Sequence, residues 1–286
     1  MESLAEILGR QGGWATFSDL TALVSRKTVS AALARGDVQR VGRGIYALPE
    51  LPAGIAAALS YDGVVSHSSA AAAMGFPLLV APEKPHVIVP PNRHSRPGPP
   101  AVLHWADTDT DERRNRITSP LRTVVDAARI LPFGEGLAVA DAALATGRIS
   151  QDELLAATVV MRGYGCPNAR AVAEAASGLS GSFLESMLRA LLISAGIEGF
   201  EPQVLVCGGS FRARVDLGHR RARLALEADS FEFHGSRRHF TADCLRYDEL
   251  VAAGWLVLRL TYEQVIGDPD WVVAMVRSVL AQRLAG

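Results

Sequence analysis

The sequence predicts a multi-domain α/β protein, and three observations support this prediction. A chain of 286 residues is too long for one small core and is typical of two or three domains. Its hydrophobic and charged contents, 49% and 21%, fit a soluble globular protein. Helix-like and strand-like segments alternate along the chain, Pro49 and Pro52 interrupt it after the first fifty residues, and a helix capped by Ser182 opens the last part. We therefore expect three domains, over residues 1–50, 51–180 and 181–286.

The first domain is predicted to contain three helices followed by a hairpin of two strands. Ser18 is the expected N-cap of the second helix, and Ser25 is the expected N-cap of the third. Gly36 should end the third helix, because glycine favours the left-handed conformation found there. Strands are expected over residues 38–41 and 45–48. This order of elements predicts a winged helix-turn-helix whose third helix is the recognition helix.

The third helix and the hairpin are basic, although the net charge of the whole chain is −1. Residues 18–46 contain five basic residues against two acids, which is a net charge of +3. Val29, Ala32 and Leu33 should be buried, which leaves the polar residues of that helix facing outward. A local basic patch is what contact with the phosphates of double-stranded DNA requires, while the alternative is a solvated face on a module for protein contacts. The expected DNA-contacting residues are Arg26, Lys27, Ser30, Arg35, Arg40 and Arg43.

The run LARGDVQRVGRGIYALP, from Leu33 to Pro49, resembles the N-terminal domain of the abortive-infection AbiEi antitoxin family. Members of that family bind DNA and repress their own operon, so the resemblance implies a transcriptional regulator. The segment from Ser119 to Asp126 is similar to a later part of the same family. The resemblance also implies a cognate toxin protein as a candidate partner.

The second domain is predicted to be a mixed helix and strand region with no catalytic constellation. Strands are expected at residues 87–89 and 102–105, and Ser119-Pro120 predicts the start of a helix. Four histidines lie in this domain, but their spacing fits neither a helical nor a hairpin metal site. Each is therefore expected to be a surface or capping residue. These histidines are His67, His86, His94 and His104.

The composition indicates a cytoplasmic protein. No apolar run approaches the roughly 20 residues that a membrane helix needs, and no signal peptide is recognisable. Cys166, Cys207 and Cys244 are odd in number, far apart and without metal-ligand spacing, which favours a reducing compartment. We expect DNA but no membrane as a partner, and the sequence leaves open whether the chain forms a homodimer.

Three acids in the third domain lie in runs that otherwise look like buried strands: Asp216, Glu227 and Asp229. Glu227 and Asp229 are two residues apart, so their side chains should leave a strand on the same face. A turn centred near Arg221 and Ala222 would set Asp216 opposite Glu227, whereas a tighter turn would set it opposite residue 223. In the first register the carboxylates converge, as a hard cation such as Mg²⁺ or Mn²⁺ requires.

These acids resemble the Vsr-like branch of the PD-(D/E)XK nucleases, in which a hairpin carries Asp, then Glu-x-Asp and a histidine. The matching residues here are Asp216, Glu227, Asp229 and His234. The resemblance implies a restriction-endonuclease-like mixed sheet flanked by helices, and a Mg²⁺-dependent DNA endonuclease. It implies that the three acids hold the metal, that His234 acts as general base or acid, and that Glu185 lies near the metal-bound water. The other role for Glu185 is that of the capping-box glutamate of a helix capped by Ser182.

Two features depart from the superfamily's pattern. The usual lysine is absent, since position 229 is Asp and the chain has only Lys27 and Lys84. The Vsr-like branch also lacks that lysine, but Ser230 stands where that branch commonly has glycine. Two functions therefore stay open: a nuclease, on DNA or RNA, and an antitoxin-like repressor whose last domain only binds DNA or a toxin.

Overall fold

The computed structural model describes residues 3–92, 98–208, 211–229 and 237–285, and these residues form a mixed α/β protein. Contacts along the chain define two compact units. Unit 1 consists of residues 1–75 and 80–127, and unit 2 consists of residues 76–79 and 128–286. None of the helices in the described ranges combines the length and the apolar character that crossing a membrane would require.

Unit 1 begins with three helices and a small antiparallel sheet with the strand order β1-β3-β2. Leu8, Leu20, Val29 and Ala32 are fully buried between these elements and form the core. The expected hairpin is therefore present, and an additional strand that the sequence did not predict extends it. The elements are α1 (Leu4–Arg10), β1 (Trp14–Thr16), α2 (Phe17–Leu23), α3 (Arg26–Arg35), β2 (Gln39–Gly42) and β3 (Ile45–Ala47).

The caps of α2 and α3 test two of the predictions. Ser25 caps α3 through a 3.1 Å bond from the Thr28 N–H, and Gly36 ends it in the left-handed conformation, so both predictions are confirmed. The prediction for Ser18 was wrong. Thr16 caps α2, because its hydroxyl accepts the Asp19 N–H while the Asp19 carboxylate accepts the Thr16 N–H. Leu33 was also predicted wrongly, since it is 40% exposed.

The rest of unit 1 surrounds a second small sheet with the strand order β4-β5-β6. β4 is antiparallel to β5, and β5 is parallel to β6. The predicted strands at residues 87–89 and 102–105 are confirmed as β5 and β6. The elements are α4 (Ala53–Tyr61), β4 (Val64–Val65), α5 (His67–Ala73), β5 (His86–Val89), β6 (Val102–Trp105), α6 (Thr110–Asn115) and α7 (Pro120–Ile130), whose last residues belong to unit 2.

Unit 2 contains helices and one mixed sheet with the strand order β10-β9-β8-β7. β10 is parallel to β9, and the other neighbours are antiparallel. Leu188 and Val272 belong to the core on one face of this sheet, and Leu250 belongs to the core on the other. The elements are α8 (Phe133–Ala145), α9 (Gln151–Val159), α10 (Cys166–Ala175), α11 (Phe183–Ser194), β7 (Phe200–Gly208), β8 (Phe211–His219), β9 (Leu224–Asp229), α12 (Arg237–Ala252), β10 (Leu256–Thr261), a π-helical turn (Glu263–Gly267) and α13 (Pro269–Ala285).

The turn between β8 and β9 has the first of the two predicted registers. His219 pairs with Leu224 and Leu217 pairs with Leu226, which centres the hairpin on residues 221 and 222. The ladder ends at the Leu217–Leu226 pair. Continued by one residue, the same register sets Asp216 opposite Glu227.

Candidate functional site

The predicted DNA-contacting residues all lie at the surface of unit 1. Arg26, Lys27 and Ser30 are exposed on α3, while Val29 and Ala32 of the same helix are buried in the core. The helix therefore has one apolar and one polar side, as the sequence predicted.

Three further basic residues extend this surface around α3. Arg35 pairs with Asp37 at 2.8 Å, and because both side chains are exposed this ion pair is weak. Arg40 lies in β2 and donates to the Gly42 carbonyl at 3.2 Å, and Arg43 lies in the turn that follows. We call Arg26, Lys27, Ser30, Arg35, Arg40 and Arg43 the α3 surface.

A second candidate site lies in unit 2, where three elements bring four acids into one region. Asp216 is on β8, Glu227 and Asp229 are on β9, and Glu185 is in the first turn of α11. Glu227 is 5% exposed and Glu185 is 9% exposed, so both are buried. We call these four residues the carboxylate cluster.

The carboxylate cluster is held by backbone N–H groups and by two arginines. Asp216 Oδ2 accepts the Ala228 N–H at 2.9 Å. Arg246 of α12 donates to Glu227 Oε1 at 2.7 Å, and Arg259 of β10 donates to Asp229 Oδ2 at 2.6 Å. These arginines supply positive charge beside the acids. Neither contact could be predicted from the sequence, because Arg246 and Arg259 reach the acids of β9 only in the folded chain.

Burial raises the pKa of two of these carboxyl groups. The pKa of Asp216 rises to about 6, chiefly because of burial, and the negative charges of Glu185 and Asp229 raise it further. The Ala228 N–H and Arg246 oppose this rise. The pKa of Glu227 rises to about 7, first through burial and then through the charge of Asp216, while Arg246 lowers it. Near neutral pH this region can therefore hold or release protons.

Strand alternation is broken at Asp216. Val215 packs in the core beside α12, whereas Leu217 packs in the core beside α11, although residues two apart in a strand normally share a face. Gln203 interrupts the pairing of β7 with β8 at the same level and has a φ of 53°. A non-glycine residue in this conformation is strained, and such strain is concentrated at functional sites.

Glu185 takes part in capping α11 and also contacts Gln203. Ser182 caps α11 by accepting the Glu185 N–H at 3.2 Å. The Glu185 carboxylate accepts the Gly181 N–H and the Gln203 amide, each at 2.8 Å. Gln203 is therefore a residue of this region that the sequence did not indicate. His234 lies outside the described residues.

The prediction that the histidines of residues 51–180 are separate surface or capping residues was wrong for three of them. His67, His86 and His104 come together in unit 1, and one ligand nitrogen from each lies within 4.8 Å of the others. We call these three residues the histidine cluster. Within the described residues, it is the group whose three potential ligand atoms all lie within 4.8 Å of one another, whereas the ligand atoms of the carboxylate cluster lie farther apart. The spacing of these histidines along the sequence did not reveal the cluster, because three different elements supply the rings. His94 lies outside the described residues.

The comparisons with known proteins address the N-terminal part of the chain most directly. Residues 2–49 match the family described as "Transcriptional regulator, AbiEi antitoxin". This segment contains α1 to α3, β1 to β3 and all residues of the α3 surface.

Two curated proteins are similar over nearly the whole chain. They are uncharacterized protein Rv2248 of Mycobacterium tuberculosis strain H37Rv and uncharacterized protein MT2308 of strain CDC 1551. Each is 29% identical over 278 residues, which cover 92% of this chain and 100% of the relative. Among solved structures, the crystal structure of the RV2827C protein from M. tuberculosis aligns with a TM-score of 0.37 and 16% identity, over 72% of this chain and 87% of that one.

Proposed function

We propose that the protein is a DNA-binding transcriptional regulator of the AbiEi antitoxin type. The match of residues 2–49 to this regulator family is the observation that carries the proposal. The order of α1 to α3 and the small sheet fits a winged helix-turn-helix domain, with α3 as the recognition helix and the β2–β3 turn as the wing.

The charges of the α3 surface support double-stranded DNA as the partner. Arg26 and Lys27 are exposed near the N-terminus of α3, where residues of a recognition helix reach base edges and phosphates. Arg43 is exposed on the turn, where a wing would meet the neighbouring backbone. Each phosphate neutralised by such a residue releases condensed counterions, so binding should weaken steeply as salt is raised.

The test of this proposal is the salt dependence of DNA binding, measured by fluorescence anisotropy with the DNA upstream of the protein's own gene. Lys27→Ala and Arg43→Ala should weaken binding, and each should reduce the slope of log K against log salt by about 0.9. Arg162→Ala, which removes an exposed arginine of unit 2, is the control and should leave the slope unchanged. A wild type that is folded but does not bind this DNA more tightly than unrelated DNA would refute the proposal.

A second proposed function is Mg²⁺-dependent cleavage of nucleic acid by the C-terminal domain, over residues 181–286. It is supported by the raised pKa values of Asp216 and Glu227, since perturbed carboxyl groups are concentrated at catalytic sites. The helix and strand order of α11 to β10 also fits the nuclease-like sheet that the sequence resembles. Because these carboxylates do not bring three ligand atoms within 4.8 Å of one another, Mg²⁺ or Mn²⁺ would have to draw them together before it could activate a water molecule.

Plasmid nicking with Mg²⁺ or Mn²⁺ distinguishes the two functions. The nuclease proposal requires nicking by wild type that is lost in Asp216→Ala, in Asp229→Ala and in EDTA. Glu249→Ala, which removes an exposed acid of α12, is the matched control and should retain nicking. A wild type that binds its DNA without cutting it, with a carboxylate cluster that serves only binding or a toxin interface, would leave the regulator as the function.

A further inference from the structure

The histidine cluster is assembled by three elements of unit 1. His67 begins α5, His86 begins β5 and His104 lies in β6. The parallel register sets His86 beside Val102, so His104 is the diagonal neighbour of His86 on the same face of the sheet.

The three rings are close, and the His104 ring stacks on each of the other two, with interplanar angles of 17° and 20°. His86 Nδ1 lies 3.0 Å from His104 Nε2, and the rings of His67 and His104 stack with centroids 3.7 Å apart. The His67 and His86 centroids are 5.8 Å apart. The separation of the two nitrogens is close to the roughly 3.3 Å expected when both bind one tetrahedral ion at about 2.05 Å.

The surroundings hold the rings in position. The buried hydroxyl of Ser66 lies 2.9 Å from His67 Nδ1, the type of outer contact that orients metal-binding histidines. The Ser69 hydroxyl accepts the backbone N–H of His86 at 2.8 Å, and this hydrogen bond connects α5 to β5. His67 has a φ of 50°, a conformation that is rare for residues with a side chain and is concentrated at functional sites.

We infer that His67, His86 and His104 form a binding site for a borderline divalent cation, of which Zn²⁺ is the best match. Neutral imidazole nitrogens are preferred ligands of Zn²⁺, whereas Mg²⁺ and Ca²⁺ prefer oxygen. Three protein ligands leave one position of a tetrahedral ion for water or another ligand.

The first test measures metal binding by the full-length chain without an affinity tag, after EDTA treatment and dialysis. Zn²⁺ is titrated against a chromophoric chelator, and one Zn²⁺ per chain is expected. His86→Gln and His104→Gln should each weaken binding at least tenfold. Mutation of a residue that only hydrogen-bonds to a zinc ligand already weakens metal affinity by about 10- to 100-fold, and loss of a ligand itself should have at least this effect. His239→Gln, in α12, is the matched control and should bind as wild type does.

A second measurement uses the wild type alone, so its result does not depend on whether the variants fold. Co²⁺ bound by three imidazoles should give the visible bands of a tetrahedral site without a thiolate charge-transfer band. A folded wild type that binds neither Zn²⁺ nor Co²⁺ would overturn the inference. The same holds for stoichiometric binding that is unchanged in folded His86→Gln and His104→Gln, or for a thiolate band that assigns the metal to cysteine.

Discussion

The carboxylate cluster of unit 2 and the histidine cluster of unit 1 differ in how their buried polar groups are stabilised. Both bring polar side chains from two strands and from the first turn of a helix into buried or partly buried positions. The carboxylates carry negative charge, and Arg246 and Arg259 contact two of them directly. The three histidines of the other cluster lie in close contact with one another. Burial of charge therefore needs a nearby cation, whereas burial of imidazole does not.

This difference changes what a bound cation would do in each place. In the carboxylate cluster, a metal ion would compete with positive charge that the protein already supplies. In the histidine cluster, it would replace the contact between His86 and His104.

The largest effect is expected on removing Arg246, which contacts the buried Glu227. Arg246→Met should cost about 3 kcal/mol of unfolding free energy at pH 9, because the Glu227 carboxyl must then either stay buried as an unpaired anion or take up a proton, which costs about 2.7 kcal/mol at this pH. At pH 5 the loss should be smaller, since Glu227, with a pKa of about 7, is then protonated. Urea unfolding at both pH values measures the difference.

A double variant isolates the charge from the packing. Arg246→Met with Glu227→Gln should recover most of the stability that Arg246→Met loses, because neither charge remains. Arg212→Met, at an exposed position of β8, controls for the substitution itself. An equal loss at pH 5 and pH 9 would show that Arg246 acts by packing alone.

The next effect is a metal-specific stabilisation that should separate the clusters. At a free Zn²⁺ concentration of about 100 times Kd, wild type should gain about 2.7 kcal/mol relative to EDTA, provided that the unfolded chain does not bind the ion. Thermal unfolding should show this gain in wild type and lose it in His104→Gln. A similar gain from Mg²⁺ that also disappears in His104→Gln would contradict the assignment of these ligands to Zn²⁺.

The raised pKa values predict a pH dependence that Glu227→Gln should flatten. Asp216 and Glu227 titrate near 6 and 7 in the folded chain, above their ordinary values of 3.8 and 4.5. The folded state therefore binds these protons more tightly, and the stability they contribute is present below about pH 4 and lost as pH rises through 6 to 7. Between pH 5 and pH 8 wild type should lose on the order of 2 kcal/mol more than Glu227→Gln. Urea unfolding checks this, with Glu249→Gln as the control.

Local patterns allowed much of the fold to be predicted. The register of β8 and β9 is the first of the two that the sequence left open, and Ser25 and Gly36 marked the ends of α3 because capping is local. β1 and β4 were missed, since strands of three and two residues are too short to show a period. The cap at Thr16 was missed because Ser18 also fits the preference for a capping residue.

The two candidate sites also differ in how much of each could be predicted from the sequence. Acids in strands stand out in a sequence because they are costly there, so Asp216 and Glu227 could be selected. Their arginine partners could not be assigned, since the contacts join residues 19 and 30 positions apart on different elements. The histidines gave no signal at all, because no two of His67, His86 and His104 lie on one element. A metal site built from separate elements requires tertiary structure to be recognised.

The smallest effect is expected at the outer edge of the carboxylate cluster. The side chains of Asp229 and Arg259 are 35% and 42% exposed, so water screens their ion pair. Asp229→Asn should therefore change the unfolding free energy by less than about 1 kcal/mol, in contrast to the change at Arg246. Urea unfolding measures this, and a loss as large as that of Arg246→Met would mean that the two arginines stabilise the cluster equally. A small loss makes Asp229 the better position for testing nicking, since any lost activity would then reflect the missing carboxylate and not an unfolded domain.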